Sequence, residues 1–263
     1  LDLRSRYGEA ELPDMAAIDL RTQDMPGGQW ISPSLAAAVE ARMARGEQSL
    51  LFLNRRGYAP VTVCRACGEQ IACQQCDARM VEHRFQNRLV CHQCGESRPI
   101  PVECPSCGVE GKLAPIGPGV ERLAEEVAAR FPDAKATVLS SDLFGSARAL
   151  KETIAEIAQG DSDIIIGTQI VAKGHNFPKL TLVGVIDSDL GLQGADLRAA
   201  ERSFQLMRQV AGRAGRMPGE RPGLALLQTH QPEHPVIRAI LAGDDEGFWD
   251  AEAAMRRSAG MPP

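Results

Sequence analysis

The sequence predicts an α/β fold, in which a mostly parallel sheet carries helices on both faces and is interrupted by an inserted cysteine-rich module. Short apolar runs alternate with helical patterns, an order typical of parallel sheets. All eight cysteines of the 263-residue chain fall between Cys64 and Cys107, within the alternating pattern. The hydrophobic fraction of 44% and the charged fraction of 24% are those of a globular protein rather than a disordered one.

Each element of the alternating pattern has its own local signal. Helices are indicated by apolar residues at three- and four-residue spacing, such as Leu123, Val127 and Phe131, and Gly160 is a stop signal. The patterns predict strands over residues 49–54, 136–139, 163–167, 180–186 and 223–228, and helices over 117–130, 147–159 and 196–216. Ligands usually bind in the loops at the carboxyl ends of such strands, so those loops are candidate sites.

The cysteines occur in four Cys-x-x-Cys pairs: Cys64/Cys67, Cys73/Cys76, Cys91/Cys94 and Cys104/Cys107. Each pair can offer two thiolates from one tight turn, and tetrahedral zinc takes four ligands, so the pairs predict two four-cysteine zinc sites. A disulfide framework is the alternative, which the absence of cysteine from the rest of the chain disfavours. His83 and His92 can also bind zinc, but the cysteines already suffice.

The spacing does not decide which two of the four Cys-x-x-Cys pairs, or knuckles, share a zinc ion. Gaps of five, fourteen and nine residues separate successive pairs, and sequential, interleaved and nested pairings are all conceivable. A hairpin over residues 77–90 would bring the second and third pairs together. Residues 61–113 contain few large apolar side chains, so metal binding is expected to supply much of their folding free energy.

Two loops of the α/β part carry residues suited to phosphate. The first follows a predicted strand and supplies Gly167, Thr168, Gln169, Lys173 and Gly174. A glycine, a hydroxyl, an amide and a cation are together able to bind phosphate oxygens through backbone and side chain.

The second loop runs from Gln209 to Arg216 in a net acidic chain, whose formal charge is −5. Six arginines and two acidic residues lie between Arg198 and Arg221. Arg213 and Arg216 are three residues apart, and the helical pattern predicts that they share one face. The alternative is a solvated arginine face near a helix end, which the helix dipole favours.

These motifs resemble those of a known family. Residues 167–178 resemble motif V of superfamily 2 helicases, and residues 209–216 resemble their motif VI. The full set of motifs resembles one family within this superfamily, the replication-restart helicases of bacteria. The further motifs of that set are Asn54-Arg55-Arg56-Gly57, the four Cys-x-x-Cys pairs, Asp187-x-Asp189, and the segments 196–202 and 229–235. The resemblance extends from about Leu12 to Pro263.

The resemblance implies a RecA-like second helicase lobe with the zinc module inserted. The chain is expected to divide into an inter-lobe segment with the start of the lobe (1–46), the lobe itself (47–60 and 114–240), a two-zinc module (61–113) and the truncated start of a C-terminal region (241–263). It also implies nested pairing, with Cys64, Cys67, Cys104 and Cys107 on one zinc ion and Cys73, Cys76, Cys91 and Cys94 on the other.

The same resemblance implies roles and partners. Arg213 and Arg216 would act as arginine fingers on ATP and Mg²⁺ in the full-length protein, while Gly167, Thr168, Gln169, Lys173, Gly174 and Gln209 would couple ATP to DNA. The implied partners are forked and single-stranded DNA, other primosome proteins and single-stranded-DNA-binding protein. A cytoplasmic monomer without membrane contact is expected.

Two other classes of protein remain open from the sequence. One is a zinc-dependent module that binds DNA or protein without catalysis, and the other is a different superfamily 2 translocase with an unrelated zinc insertion. No Gly-x-x-x-x-Gly-Lys-Ser/Thr motif occurs in the chain, so this chain by itself is expected to be inactive.

Overall fold

The computed structural model describes residues 12–26, 28–54, 61–64, 66–67, 69, 71–76, 80–83, 88–91, 93–116, 119–140, 144, 146–172, 175–189, 192, 198–215 and 222–260. The chain divides into two compact units, one formed by residues 1–54 and 120–263 and the other by residues 55–119. Lys173, Gly174 and Arg216, which belong to the predicted sites, lie outside the described residues.

Strands and helices follow one another along the chain in the order β1 (Asp14–Asp19), α1 (Pro33–Met43), β2 (Gln48–Phe52), β3 (Val61–Cys64), β4 (Val81–His83), β5 (Arg88–Val90), β6 (Ser97–Pro99), β7 (Leu113–Ile116), α2 (Val120–Arg130), β8 (Ala136–Leu139), α3 (Ala147–Gln159), β9 (Ile164–Gly167), β10 (Leu180–Val185), α4 (Ala199–Ala211), β11 (Leu224–Thr229), α5 (Pro235–Ala242) and α6 (Asp245–Ser258). Short 3₁₀ turns cover Leu20–Thr22 and Gln169–Ala172. Within these described residues, no helix has the length and apolar character needed to cross a bilayer.

The larger unit is built on a six-stranded sheet in the order β1-β11-β10-β2-β9-β8. Every neighbouring pair in it is parallel. Strands β2 and β9 are buried on both faces because their apolar residues alternate between two cores. Leu50 and Ile165 face one core, whereas Leu51 and Ile166 face the other.

Helices cover both faces of this sheet. Side chains of α1 and α2, including Leu35, Val39 and Leu123, fill one core. The second core takes its helical side chains from α3, α4, α5 and α6, among them Ile157 and Phe204. The predicted α/β class, with a mostly parallel sheet and helices on both faces, is therefore confirmed.

The smaller unit contains an antiparallel sheet in the order β6-β5-β4-β3-β7. Strands β4 and β5 pair through Val81 and Val90, so the segment between the second and third cysteine pairs does form the hairpin that the sequence suggested. The buried cluster beside it is small and consists of Ile71, Cys73, Met80, Leu89 and Cys91. Cysteines therefore make up a large part of what this unit buries.

The helix predicted over residues 196–216 is shorter in the structure. Among the described residues, α4 ends at Ala211, and Gly212 occupies its C-cap. Gly215 follows with φ +64°, a left-handed conformation that an α-helix cannot continue through. The prediction of a helix that runs through Arg213 is therefore wrong, because Arg213 lies beyond the helix end.

Gly215→Ala is expected to destabilise the larger unit. A Cβ at this position would lie 2.2 Å from the backbone nitrogen of Gly223, in addition to the left-handed φ. We expect the free energy of unfolding to fall by about 2–4 kcal/mol, as measured by chemical denaturation. The matched control is Gly46→Ala, where φ is +68° but nothing lies within 4 Å of the new Cβ. Equal losses in both variants would contradict a role for the close backbone approach.

Candidate zinc centres and arginine site

The first cysteine cluster joins the two outer knuckles of the module. Cys64 ends β3, and its Sγ lies 3.7 Å from that of Cys107, while the Sγ atoms of Cys67 and Cys104 are 3.8 Å apart. All four sulfur atoms lie within 4.8 Å of one another. A backbone hydrogen bond shapes the turn that carries Cys104 and Cys107, since the Gly108 N–H donates to the Cys104 carbonyl at 2.9 Å. The left-handed φ of Gly108, +70°, permits that turn.

The second cluster joins the two inner knuckles. The Sγ atoms of Cys73 and Cys94 are 3.5 Å apart, as are those of Cys76 and Cys91. Gly95, with φ +81°, donates its N–H to the Cys91 carbonyl at 2.9 Å and so repeats the turn of the first cluster. The structure thus groups the thiols in the nested order that the resemblance implies, and β4 and β5 bring the inner pairs together.

The donor set and its dimensions fit tetrahedral zinc. Four sulfur ligands at about 2.3 Å from a zinc ion have neighbouring sulfur atoms about 3.8 Å apart by tetrahedral geometry. The observed Sγ separations of 3.5–3.8 Å match that edge. A disulfide would bring two sulfur atoms to about 2.05 Å, and none of the eight cysteines forms one.

Local hydrogen bonds prepare some of these thiols for metal binding. The backbone N–H of Cys67 lowers the pKa of Cys64 to about 7, and that of Cys94 lowers the pKa of Cys91 to about 6. The Glu96 carboxylate, whose Oε2 lies 2.6 Å from Cys73 Sγ, raises the pKa of Cys73 to about 12. Zinc binds thiolates, so metal uptake at the second cluster requires loss of the Cys73 proton.

The first of the two loops predicted to bind phosphate begins at the carboxyl edge of the parallel sheet. The Leu53 N–H donates to the Gly167 carbonyl at 2.9 Å, which places Asn54 and Thr168 at the ends of neighbouring strands. Thr168 is buried, and Gln169 begins a 3₁₀ turn that folds back, with Val171 Cγ1 only 2.4 Å from where a Cβ of Gly167 would stand. Among the described residues, Asn54 Oδ1 is buried without a hydrogen-bond partner.

The turn after α4 is tied to the segment that connects β9 to β10. Arg213 is 6% exposed, and its Nη1 donates to the His175 carbonyl at 2.9 Å. Burial, together with the Arg213 charge, lowers the pKa of His175. The Gly215 N–H donates to the Leu180 carbonyl at 2.9 Å, so the turn is also fixed to the start of β10. Gln209 lies on the exposed side of α4.

Two polar clusters were not assigned a role from the sequence. In the first, Asp189 accepts hydrogen bonds from the Thr229 hydroxyl and, at 2.7 Å, from the His230 backbone N–H. These bonds join the segment that follows β10 to the end of β11 and the residue after it. The paired Asp and Thr-His motifs were visible in the sequence, but their contact was not.

The second unassigned cluster is a buried ionic one. Arg256 of α6 contacts Glu201 of α4 and lies beside Glu252. Its members are separated along the chain by up to 55 residues, from Glu201 to Arg256, so no local pattern indicates it.

A parallel sheet with Thr168 at the end of β9 and a buried arginine in the turn after α4, in a chain that also holds two cysteine clusters, is the arrangement expected of a helicase C-terminal lobe with a zinc-ribbon insertion. Comparisons with known families agree with that class. Residues 73–99 match the PriA DNA helicase Cys-rich region (CRR) domain, and residues 118–218 match the helicase conserved C-terminal domain.

Curated relatives give the narrower assignment. Replication restart protein PriA of Rickettsia conorii is 42% identical over 99% of this chain and 40% of its own length. PriA of Haemophilus influenzae is 40% identical over 100% of this chain and 35% of its own length. PriA of Bacillus subtilis is 38% identical over 100% of this chain and 32% of its own length. The chain is thus similar to replication restart protein PriA over 99–100% of its own length. It spans about two-fifths of the length of the Rickettsia relatives that it matches.

Among solved structures, the chain is similar to one described as RecG bound to a three-way DNA junction. The TM-score is 0.47 at 13% identity, and the match covers 94% of this chain and 22% of that one.

Proposed function

We propose that this chain is the second lobe and zinc module of an ATP-dependent DNA helicase that acts in replication restart. The observation that carries the proposal is the combination of two nested cysteine clusters with PriA-type similarity over 99–100% of the chain. In this proposal, a first lobe on the longer protein supplies the P-loop, and ATP with Mg²⁺ binds between the lobes. The substrates are forked and single-stranded DNA.

Each part of the chain takes a physical role in this proposal. Arg213 and Arg216 contact the nucleotide phosphates and stabilise the charge that develops during phosphoryl transfer. A second group of residues links contacts with the DNA backbone to the state of the nucleotide. These residues are Thr168, Gln169 and Lys173, with Gly167, Gly174 and Gln209 around them. The Arg213–His175 hydrogen bond supports this coupling, because it joins the two motif segments directly.

The zinc module has a contact role rather than a charge-driven one. Zinc, when bound, cross-links the four knuckles and gives the module a fixed shape. The basic and acidic residues of positions 61–113 balance at six each, which argues against a general electrostatic clamp on DNA. We propose that the module contacts branched DNA and other primosome proteins, including single-stranded-DNA-binding protein, and that the protein acts as a cytoplasmic monomer.

The test is ATP hydrolysis by the full-length protein, with and without forked DNA, for the wild type and for Arg216→Ala. We expect hydrolysis that the fork stimulates and that collapses in the variant, because Arg216 is proposed to act on the phosphates. The 263-residue chain assayed alone is the matched control and should show no hydrolysis. Fork binding with no hydrolysis in the full-length wild type would overturn the helicase proposal in favour of a zinc-dependent binding module.

A further inference from the structure

Helix α6 lies antiparallel along α4, the helix that leads into Arg213. Near the end of α4, Arg208 Nε lies 2.9 Å from Asp245 Oδ1, and a second bond joins Arg208 Nη2 to Asp245 Oδ2 at 3.1 Å. In the middle, the rings of Phe204 and Phe248 stack with centroids 4.0 Å apart and planes 6° from parallel. At the start of α4, Glu201 contacts Arg256.

The last of these contacts is buried, unlike most ion pairs of the described residues. The side chains of Arg256 and Glu252 are each 8% exposed, and that of Glu201 is 17% exposed. Arg256 Nη2 contacts Glu201, and its Nε lies 3.7 Å from Glu252 Oε1. Removing three charges from water is costly, and apolar residues of similar volume often give equal or greater stability. Stability is therefore a weak reason for charges at this position.

A better reason for these charges is that they fix the register of α6 on α4. An apolar seam allows helices to slide by a turn at small cost, whereas a buried charge has to meet its counter-charge. The contacts of Glu201, Phe204 and Arg208 recur at three- and four-residue spacing along one side of α4 and meet α6 residues in reverse order. Shifting α6 by one turn would separate Arg256 from Glu201 and leave both buried without each other.

The register of α6 bears directly on the arginine site. Arg208 precedes Gln209 by a single position, and the turn with Arg213 begins at Gly212, immediately after α4. That turn is fixed at its far side to His175 and Leu180. A displacement of α4 along its axis would therefore strain these bonds and change where the turn holds Arg213.

We propose that Arg256, held between Glu201 and Glu252, is a positioning residue that fixes the register of α6 on α4 and thereby the placement of Arg213. The inference rests on the proposed function, because it assigns Arg256 an effect on ATP hydrolysis. Arg256 acts through α4 and does not itself contact the nucleotide.

The test separates register from stability in the full-length protein. In the triple variant Glu201→Leu, Glu252→Leu and Arg256→Met, the charges are replaced by apolar groups, so the melting temperature should equal or exceed that of the wild type. DNA-stimulated kcat should fall by about 10- to 100-fold with little change in KM, since misplacement affects the transition state more than ground-state binding. Arg257→Met removes the same charge from an exposed position of α6 and should leave both quantities unchanged.

A second variant keeps the test decisive if the triple variant does not fold. Glu201→Gln preserves the shape of the side chain and leaves Arg256 paired with Glu252, and kcat should still fall by at least about threefold. Wild-type kcat in a folded triple variant, or in Glu201→Gln, would overturn the positioning role. Absence of hydrolysis in the wild-type protein would instead overturn the proposed function, so the two failures are distinguishable.

Discussion

Removal of zinc is expected to unfold the smaller unit and leave the parallel sheet intact. The two cysteine clusters connect β3 to residues 104–107 and the end of β5 to residues 73–76 across the module. The described apolar side chains that are fully buried there, apart from cysteine, are Ile71, Met80 and Leu89. Structural zinc in small cysteine sites contributes on the order of 10–16 kcal/mol to folding, which exceeds what three such side chains provide.

Hydrogen exchange measured on the 263-residue chain tests this expectation site by site. Metal analysis should give two zinc ions per chain. After treatment with a strong chelator, backbone amides of β3, β5 and β6 should lose protection, whereas those of β2, β9 and β10 should keep it. The larger unit depends on neither cluster, because its two cores are built from the sheet and its helices.

Single substitutions show whether each cluster holds its own ion. Cys91→Ser should remove one zinc ion per chain from the inner cluster, and Cys104→Ser should remove one from the outer cluster. Ser106→Ala lies at an exposed position between two ligands and should retain both ions. Retained protection of β3 and β5 in the metal-free chain would contradict a folding role for zinc.

The central strands were predictable because their signal is local. Leu50, Leu51, Ile165 and Ile166 are buried on alternating faces, so the strands that contain them are continuous apolar runs that any window of sequence reveals. Strand β1 was not predicted, although it pairs with β11 along its full length. Its sequence, Asp-Met-Ala-Ala-Ile-Asp, has small and acidic residues at a sheet edge and therefore lacks a strong apolar pattern.

The parts that could not be predicted depend on contacts between distant residues. Knuckle spacing permits several pairings, and only the strand order of the module brings Cys64 beside Cys107. The helical pattern around Arg213 continues past the true helix end, because periodicity does not register that Gly215 adopts a left-handed φ. The Glu201–Arg256 contact joins two helices that are separated by β11 and α5.

Substitution of Arg213 is expected to have the largest effect on catalysis. Arg213 is buried and already held by the His175 carbonyl, so its guanidinium is fixed in the absence of nucleotide. A group oriented in advance needs little reorganisation when charge develops on the transferring phosphoryl group. In the full-length protein, Arg213→Ala should lower DNA-stimulated kcat by a factor on the order of 10³–10⁵. Arg238→Ala, at an exposed position of α5, is the control and should leave kcat unchanged.

Arg213→Lys separates a catalytic role from a structural one. If Arg213 only tied the segment around His175 to the turn after α4, a lysine that restores the hydrogen bond would restore both stability and kcat together. A role on the phosphates predicts a different result, because lysine keeps the charge but lacks the planar fork that binds phosphate oxygens in pairs. We therefore expect the melting temperature of Arg213→Lys to approach that of the wild type while kcat stays close to that of Arg213→Ala. Recovery of kcat in parallel with the melting temperature would assign Arg213 to the architecture of the lobe rather than to ATP hydrolysis.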